Sequence, residues 1–186
     1  RPTLGQRPGA MVESLDQLPL VRYCGPLAAC PVSPTLRCIT LTLPLPGRFT
    51  PFEVLGKCPQ LRELHDLPLA AGQAYLLAHP TLQTLTACTA RLAQQPATLG
   101  LGGLPHLQRL HLSGNILACH FPRSLKHLAV QMLPPQLPPQ LQSLVVALAP
   151  ECASLAGLAH LRTLRLLGLG GKLSVKNMPQ LAVLEC

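Results

Sequence analysis

Acidic residues are scarce in this 186-residue chain, and their absence from its middle argues against one large class of enzymes. There are seven carboxylates, and none of them lies between Leu67 and Pro150. Hydrolases that use acid–base chemistry commonly pair two carboxylates. Glu63 and Asp66 are the only close pair in the strand-forming region, and Asp66 falls where a core leucine is expected, which indicates a distorted turn. We therefore expect no two-carboxylate active site.

Aromatic residues, cysteine pairs and glycosylation sequons are also missing or rare. Aromatics make up 3% of the chain, which argues against sequence-specific binding of single-stranded nucleic acid, because such binding stacks bases on rings. No CxxC pair and no Asn-x-Ser/Thr sequon occurs. The eight cysteines are spread singly, as is typical of small buried hydrophobes in a reducing compartment: Cys24, Cys30, Cys38, Cys58, Cys88, Cys119, Cys152 and Cys186. We predict no disulfide framework and an intracellular location.

No signal peptide and no apolar run able to span a membrane is present. The longest uncharged run, residues 127–150, is interrupted by Pro134, Pro135, Pro138 and Pro139. The chain starts with Arg1 rather than Met, which favours a fragment or a removed targeting segment. Hydrophobic residues make up 48% and charged ones 12%, a balance that predicts a folded domain despite 21 prolines.

What the chain does contain is a repeated leucine pattern. Leu107, Leu110, Leu112 and Asn115 have the spacing LxxLxLxxN, and the alternation around His111 is typical of a strand. Further copies begin, at intervals of 16 to 25 residues, at Leu15, Leu36, Leu61, Leu82, Leu125, Leu141, Leu161 and Leu181. In six copies a proline stands two residues before the first leucine: Pro34, Pro59, Pro80, Pro105, Pro139 and Pro179. A single such strand cannot bury its leucines alone, so the copies must stack.

This pattern resembles the leucine-rich repeat family over about residues 15–186. The copy at 58–64 is similar to the cysteine-type repeats of F-box proteins, and residues 133–146 are similar to the short Leu-Pro repeats of bacterial effectors. The chain departs from the family at the asparagine position, where only Asn115 is present, so an asparagine ladder cannot join the turns. The resemblance implies an α/β solenoid with a curved parallel sheet on the concave side and short helices and extended connectors on the convex side.

The predicted organisation is an irregular arm at residues 1–14, followed by one solenoid of about eight or nine repeats at 15–186 with a truncated last repeat. The expected parallel strands are 36–42, 61–67, 82–88, 107–113, 125–131, 141–147 and 161–167. Short helices are expected at 49–57, 69–78 and 151–158, a mostly extended or turned link at 20–35, a loop at 94–105 and polyproline-type backbone at 131–140. Because helices are wider than extended chain, we expect tighter curvature in the first half.

Three motifs that would indicate catalysis or metal binding are not matched by this chain. Residues 168–172 invite a phosphate-loop interpretation but lack the Gly-x-x-x-x-Gly-Lys-Ser/Thr spacing. A zinc site from His111, His127 and Cys119 matches no known ligand spacing. No nucleophile elbow occurs, and no cysteine lies in a recognisable nucleophile setting. We therefore predict no enzyme, no catalytic residue, no cofactor and no metal.

The concave face remains as the candidate site. The residues on either side of each second leucine point outward in register, and a parallel sheet that exposes side chains in this way is a binding surface. The candidates are Glu63, His65, Thr84, Thr86, Arg109, His111, His127 and Arg165. A solvated face, with contacts made elsewhere, is the alternative.

The net charge of +8 adds candidate phosphate contacts at Arg123, Lys126, Arg162, Lys172 and Lys176. We predict a non-catalytic scaffold that binds protein as a fixed subunit of a larger intracellular assembly, with no small-molecule substrate. One alternative is a subunit of an organellar ribonucleoprotein, such as the mitochondrial ribosome, that contacts RNA through basic residues. The other is the substrate-recognition arm of a ubiquitin ligase, which the F-box-like copy suggests.

Overall fold

The computed structural model describes residues 22–26, 33–42, 55–56, 58–89, 95–148, 152–168 and 172–185. Within these ranges the chain winds into a solenoid of parallel strands. The strands are β1 Arg22–Gly25, β2 Cys38–Leu41, β3 Glu63–Leu69, β4 Ala74–Ala78, β5 Thr84–Thr89, β6 Ala97–Gly103, β7 Arg109–Ser113, β8 Ile116–Cys119, β9 His127–Met132, β10 Ser143–Leu148, β11 Cys152–Ala156, β12 Thr163–Leu166, β13 Lys172–Lys176 and β14 Val183–Glu185. The predicted solenoid is confirmed, but its α/β character is not, because helix in the described part is confined to Leu55 and Gly56.

One nine-stranded sheet, here called the front sheet, runs through β1, β2, β3, β5, β7, β9, β10, β12 and β14 in that order. The seven predicted strands are confirmed, and the copy at Leu181 forms β14. Each strand starts about two residues after the first leucine of its copy, because that leucine still belongs to the preceding turn. Within the link at 20–35, which was predicted to be mostly extended or turned, Arg22–Gly25 is an extended strand that pairs with β2 in parallel. Gly25 and Pro26 at its end had obscured this short strand.

The leucine pattern forms the core. The first leucine of seven successive copies is fully buried: Leu36, Leu61, Leu82, Leu107, Leu125, Leu141 and Leu161. The second core position is buried with it, from Ile39 to Leu164. Fully burying a leucine is worth about 1.5–3 kcal/mol, so these stacked columns are the main source of stability. In the last described turn Leu184 is exposed, since no further strand covers it there.

Five of the six recurring prolines, all except Pro80, occupy hydrogen-bonded β-turns. In these turns the N–H of the first leucine donates to the carbonyl three residues earlier, as from Leu61 to Cys58 at 3.0 Å and from Leu107 to Leu104 at 3.2 Å. Proline then stands at the second turn position, where its fixed φ is already correct. The register of prolines in the sequence therefore reflects turn geometry at the entry to each front strand.

Backbone carbonyls join the turns where an asparagine ladder is lacking. The carbonyl of Gln83 accepts N–H bonds from both Gln108 and Arg109, at 2.8 and 3.0 Å. The residues that follow the other first leucines repeat this two-donor arrangement from one turn to the next. Buried His79 adds a side-chain link: its Nδ1 accepts from the Thr81 N–H at 3.3 Å, so its Nε2 carries the proton and donates to the Cys58 carbonyl at 3.0 Å.

Two smaller parallel sheets, here called the back sheets, lie where helices and a loop were predicted. β4, β6 and β8 form one, and β11 and β13 form the other. The helices at 69–78 and 151–158 and the loop at 94–105 were therefore wrong. Short apolar runs do not separate helix from strand, and the deciding factor is pairing with the next turn. Gly103 permits that pairing, since a Cβ there would lie 2.6 Å from the Leu77 carbonyl oxygen.

The back sheets are interrupted by one turn without a back strand. After Met132 the segment 133–142 contains only bends and a turn, in keeping with its prolines. The helix at 69–78 had been one reason to expect tighter curvature in the first half, and β4 removes that reason.

The predicted arm at 1–14, the early copy at Leu15 and most of the helix at 49–57 lie outside the described residues. No helix in the described part is long and apolar enough to cross a membrane.

Candidate functional site

The front sheet aligns the predicted outward columns, which together form what we call the front face. One column runs through Cys38, Glu63, Thr84, Arg109, His127, Ser143 and Thr163, each the register partner of the next. The other contains Thr40, His65, Thr86, His111, Ala129, Val145 and Arg165. Every candidate binding residue thus lies on one surface, with neighbouring strands about 4.8 Å apart.

The second column is displaced at one point by a bulge in β3. Glu63 and Leu64 pair with Thr84 and Leu85, but the register then shifts by one residue. Asp66 is the extra residue, with φ at 58°, and its N–H donates to Thr86 Oγ1 at 2.6 Å. The distortion expected at Asp66 is confirmed. Bulges of this kind re-aim neighbouring side chains and are frequent beside functional sites.

The middle of the front face is a shallow groove. A hollow of about 260 Å³ lies among Thr84, Thr86, Arg109, His111, His127, Ala129, Ser143 and Val145. Burial, together with the charges of Arg109 and Lys126, lowers the pKa of His127 below its ordinary value. His127 is therefore a neutral hydrogen-bonding group at pH 7, while Arg109 carries the charge of the groove. Half-buried Ala129 and Val145 give the groove an apolar floor.

Three exposed apolar side chains lie at the carboxyl ends of neighbouring front strands, and we call them the apolar rim. Met132, Leu148 and Leu167 lie at the carboxyl ends of β9, β10 and β12 and are 54%, 53% and 72% exposed. Met132 and Leu148 are register partners, and Leu148 and Leu167 line an adjoining hollow of about 330 Å³. Sequence analysis missed the rim, although three large apolar residues just past the core positions were a visible signal.

The early end of the front face combines ionisable groups. Glu63 Oε2 and His65 Nε2 lie 3.5 Å apart, and both side chains are partly exposed. Cys38 is the register partner of Glu63. Burial, followed by a hydrogen bond and the charge of Glu63, raises the pKa of the Cys38 thiol. The late end is different, since Arg165 forms a two-bond ion pair with Glu185 at 3.0 and 3.1 Å.

The candidate phosphate contacts do not form one patch. Lys126 and Arg162 are exposed at the start of front strands, Arg123 is exposed in a turn, and Lys172 and Lys176 belong to back strand β13. Sequence analysis missed two further cations, Arg37 and Arg62, which occupy the same repeat position as Lys126 and Arg162. We call these four residues, separated by Gln83, Gln108 and Gln142, the basic edge.

A further hollow lies on the opposite side of the molecule. It has a volume of about 680 Å³ and lies between β8 and the proline-rich segment 133–142. Cys119 lines it and its thiol donates to the Leu99 carbonyl at 3.7 Å. Cys119 therefore lies on a back strand, whereas His111 and His127 lie on front strands, so the rejected zinc set is not brought together.

Comparison with family models, with curated proteins and with solved structures found no match.

Proposed function

We propose that this chain is a non-catalytic leucine-rich repeat scaffold that binds another protein through its front face as a subunit of a larger intracellular assembly. The observation that carries the proposal is the apolar rim beside the groove. Met132, Leu148 and Leu167 are large, adjacent and mostly exposed. Protein interfaces typically have an apolar centre and a polar border, and the groove supplies that border with Arg109 and His111.

The size of the rim fits a protein contact. Fully burying such a side chain is worth about 1.5–3 kcal/mol, so three of them would contribute several kcal/mol to association. A micromolar complex requires about 8 kcal/mol, before ordering costs are added. The rim alone is therefore insufficient, and the partner must also contact the groove. Arginine is enriched among residues that dominate interface energy, which makes Arg109 the strongest polar candidate.

The cysteines support an intracellular setting. Those whose side chains are described, Cys24, Cys38, Cys58, Cys88 and Cys119, are free and lie in different turns. Cys58 is buried in the core, where it replaces an aliphatic residue, and Cys38 is buried on the front face. Free buried thiols are ordinary in a reducing compartment.

The experiment compares two leucines of equal exposure on opposite sides of the solenoid. Leu167 on the apolar rim and Leu76 on a back strand are both 72% exposed. The full chain, tagged in cells and purified under native conditions, should lose its main partner when Leu167→Ser is combined with Arg109→Ala. Leu76→Ser should retain it. Equal retention by all variants would contradict the proposal.

RNA is the second candidate partner, and the basic edge is the observation that favours it. Arg37, Arg62, Lys126 and Arg162 form one exposed line without an interposed acid, and glutamines between them can bond to phosphate or sugar. Each phosphate contact should add about one unit to the slope of log affinity against log salt. Loss of the complex on RNase treatment, with a slope reduced by Arg62→Ala and Lys126→Ala, would decide for RNA.

A further inference from the structure

Three different metal-ligating side chains meet at the early end of the front face. Cys38 lies on β2, and Glu63 and His65 lie on β3. The Cys38 sulfur, a Glu63 carboxylate oxygen and a His65 ring nitrogen all lie within 4.8 Å of one another. This is the only group of three such residues so placed in the described part of the chain.

The fold explains why these residues meet. Cys38 and Glu63 are register partners on neighbouring parallel strands, so their side chains leave the sheet side by side. His65 follows Glu63 by two residues and therefore lies on the same side of β3. The bulge begins immediately after it, where the Asp66 N–H is held by Thr86 Oγ1 at 2.6 Å. The backbone that carries His65 is thus anchored to β5.

We propose that Cys38, Glu63 and His65 bind a divalent transition-metal ion of the zinc class, with water in the fourth position. Thiolate, imidazole and carboxylate are the three side-chain ligands that zinc takes, at about 2.0–2.3 Å. Tetrahedral ligands at those lengths lie roughly 3.3–3.8 Å apart. The three donor atoms need to approach by about 1 Å, which side-chain rotation on a fixed backbone can supply.

Space and charge also fit the ion. A hollow of about 340 Å³ lies over the cluster, bordered by Arg22, Tyr23, Cys24 and Thr40, and leaves room for a water ligand. On binding, the Cys38 S–H bond breaks, its electron pair binds the metal and its proton passes to solvent. The thiolate and the Glu63 carboxylate then balance the two charges of the cation. The contact between His65 Nε2 and Glu63 Oε2 is replaced by one metal bond from each residue.

Cobalt(II) is the probe, because thiolate ligation gives it a charge-transfer absorption that nitrogen and oxygen ligands do not. The full chain, reduced with a non-thiol reductant, should take up one equivalent with this absorption and release it to zinc. Cys38→Ser should abolish the absorption. Glu63→Gln and His65→Gln should retain it with affinity weakened about tenfold or more. Cys88→Ser is the matched control, because Cys88 does not line this hollow, and it should bind as the wild type does.

A second measurement guards against a variant that does not fold. Zinc should raise the melting temperature of the wild type, because a ligand of the folded state stabilises it. The Glu63→Gln and His65→Gln changes affect partly exposed side chains and should leave the metal-free melting temperature close to that of the wild type. Cobalt uptake without the thiolate absorption, equal loss in Cys88→Ser, or no zinc effect on melting would overturn the proposal.

Discussion

Replacing His79 with leucine tests how the turns are held together. His79 is buried and bonds to the Cys58 carbonyl at 3.0 Å and to the Thr81 N–H at 3.3 Å. His79→Leu keeps similar volume but leaves both backbone groups without this partner. Each such loss costs about 1–3 kcal/mol, and the Thr81 bond is only partly buried. We therefore expect the free energy of unfolding to fall by about 2–4 kcal/mol, as measured by urea denaturation at pH 7.5.

The same residue predicts an acid dependence. Burial lowers the pKa of His79 below its ordinary value of 6.5, so the unfolded chain takes up a proton more readily than the folded chain. The contribution of neutral His79 to the free energy of unfolding is present in full above pH 6.5. It is lost as the pH falls through the lower pKa of His79 in the folded chain. One site contributes a slope of at most about 1.4 kcal/mol per pH unit. The wild type should therefore lose stability between pH 7.5 and pH 5, and His79→Leu should lose less.

Two controls make this measurement decisive. His127 has a lowered pKa as well, so a His127→Gln variant measures its separate contribution to the slope. His106 is exposed in a turn, and His106→Leu should change stability by less than about 0.5 kcal/mol. If His79→Leu costs under about 0.5 kcal/mol, or keeps the full acid dependence, His79 does not link the turns as described.

Three further predictions concern the core, one turn and the thiols. Leu107→Ala removes a fully buried side chain and should cost about 2–5 kcal/mol in urea denaturation, and a cost below 1 kcal/mol would contradict its core position. Gly114→Ala should cost at least about 1–3 kcal/mol by the same assay, because φ is 86° and a Cβ would lie 2.9 Å from the Thr89 carbonyl oxygen; an unchanged midpoint would refute this. Titration of the denatured, unreduced chain should find close to eight free thiols, whereas a count near zero would reverse the intracellular proposal.

The front sheet could be predicted because its pattern is local and repeated. The leucine spacing from Leu36 to Leu161 determines which residues face the core, and a proline before most of these copies indicates the turn. The back sheets could not be predicted in this way. Tyr75 and Leu77 alternate with exposed Leu76, but this short run fits a helix equally well until β6 is known to lie beside it.

The candidate site likewise contains features that the sequence predicts and features that it does not. The two outward columns follow from counting residues, and Asp66 was identified as a distortion because it interrupts that count. The cluster of Cys38, Glu63 and His65 could also have been predicted, since aligning Leu36 with Leu61 places Cys38 beside Glu63. It was missed because each residue type was considered separately. The apolar rim was missed because its residues lie beyond the repeat positions that the pattern covers.

The missing back strand at 133–142 bears on how the solenoid comes apart. In a repeat protein each turn contacts only its neighbours, so cooperativity depends on every junction in the series. Among the described strands, only the front sheet connects the turn of β8 with the turn of β11, through the pairings of β7 with β9 and of β9 with β10. Each of these two junctions has one set of strand hydrogen bonds, whereas the junctions between the turns of β4, β6 and β8 have two. The chain should therefore open most easily at these junctions, and amide hydrogens of β11 to β14 should exchange through an opening that leaves β3 to β8 folded.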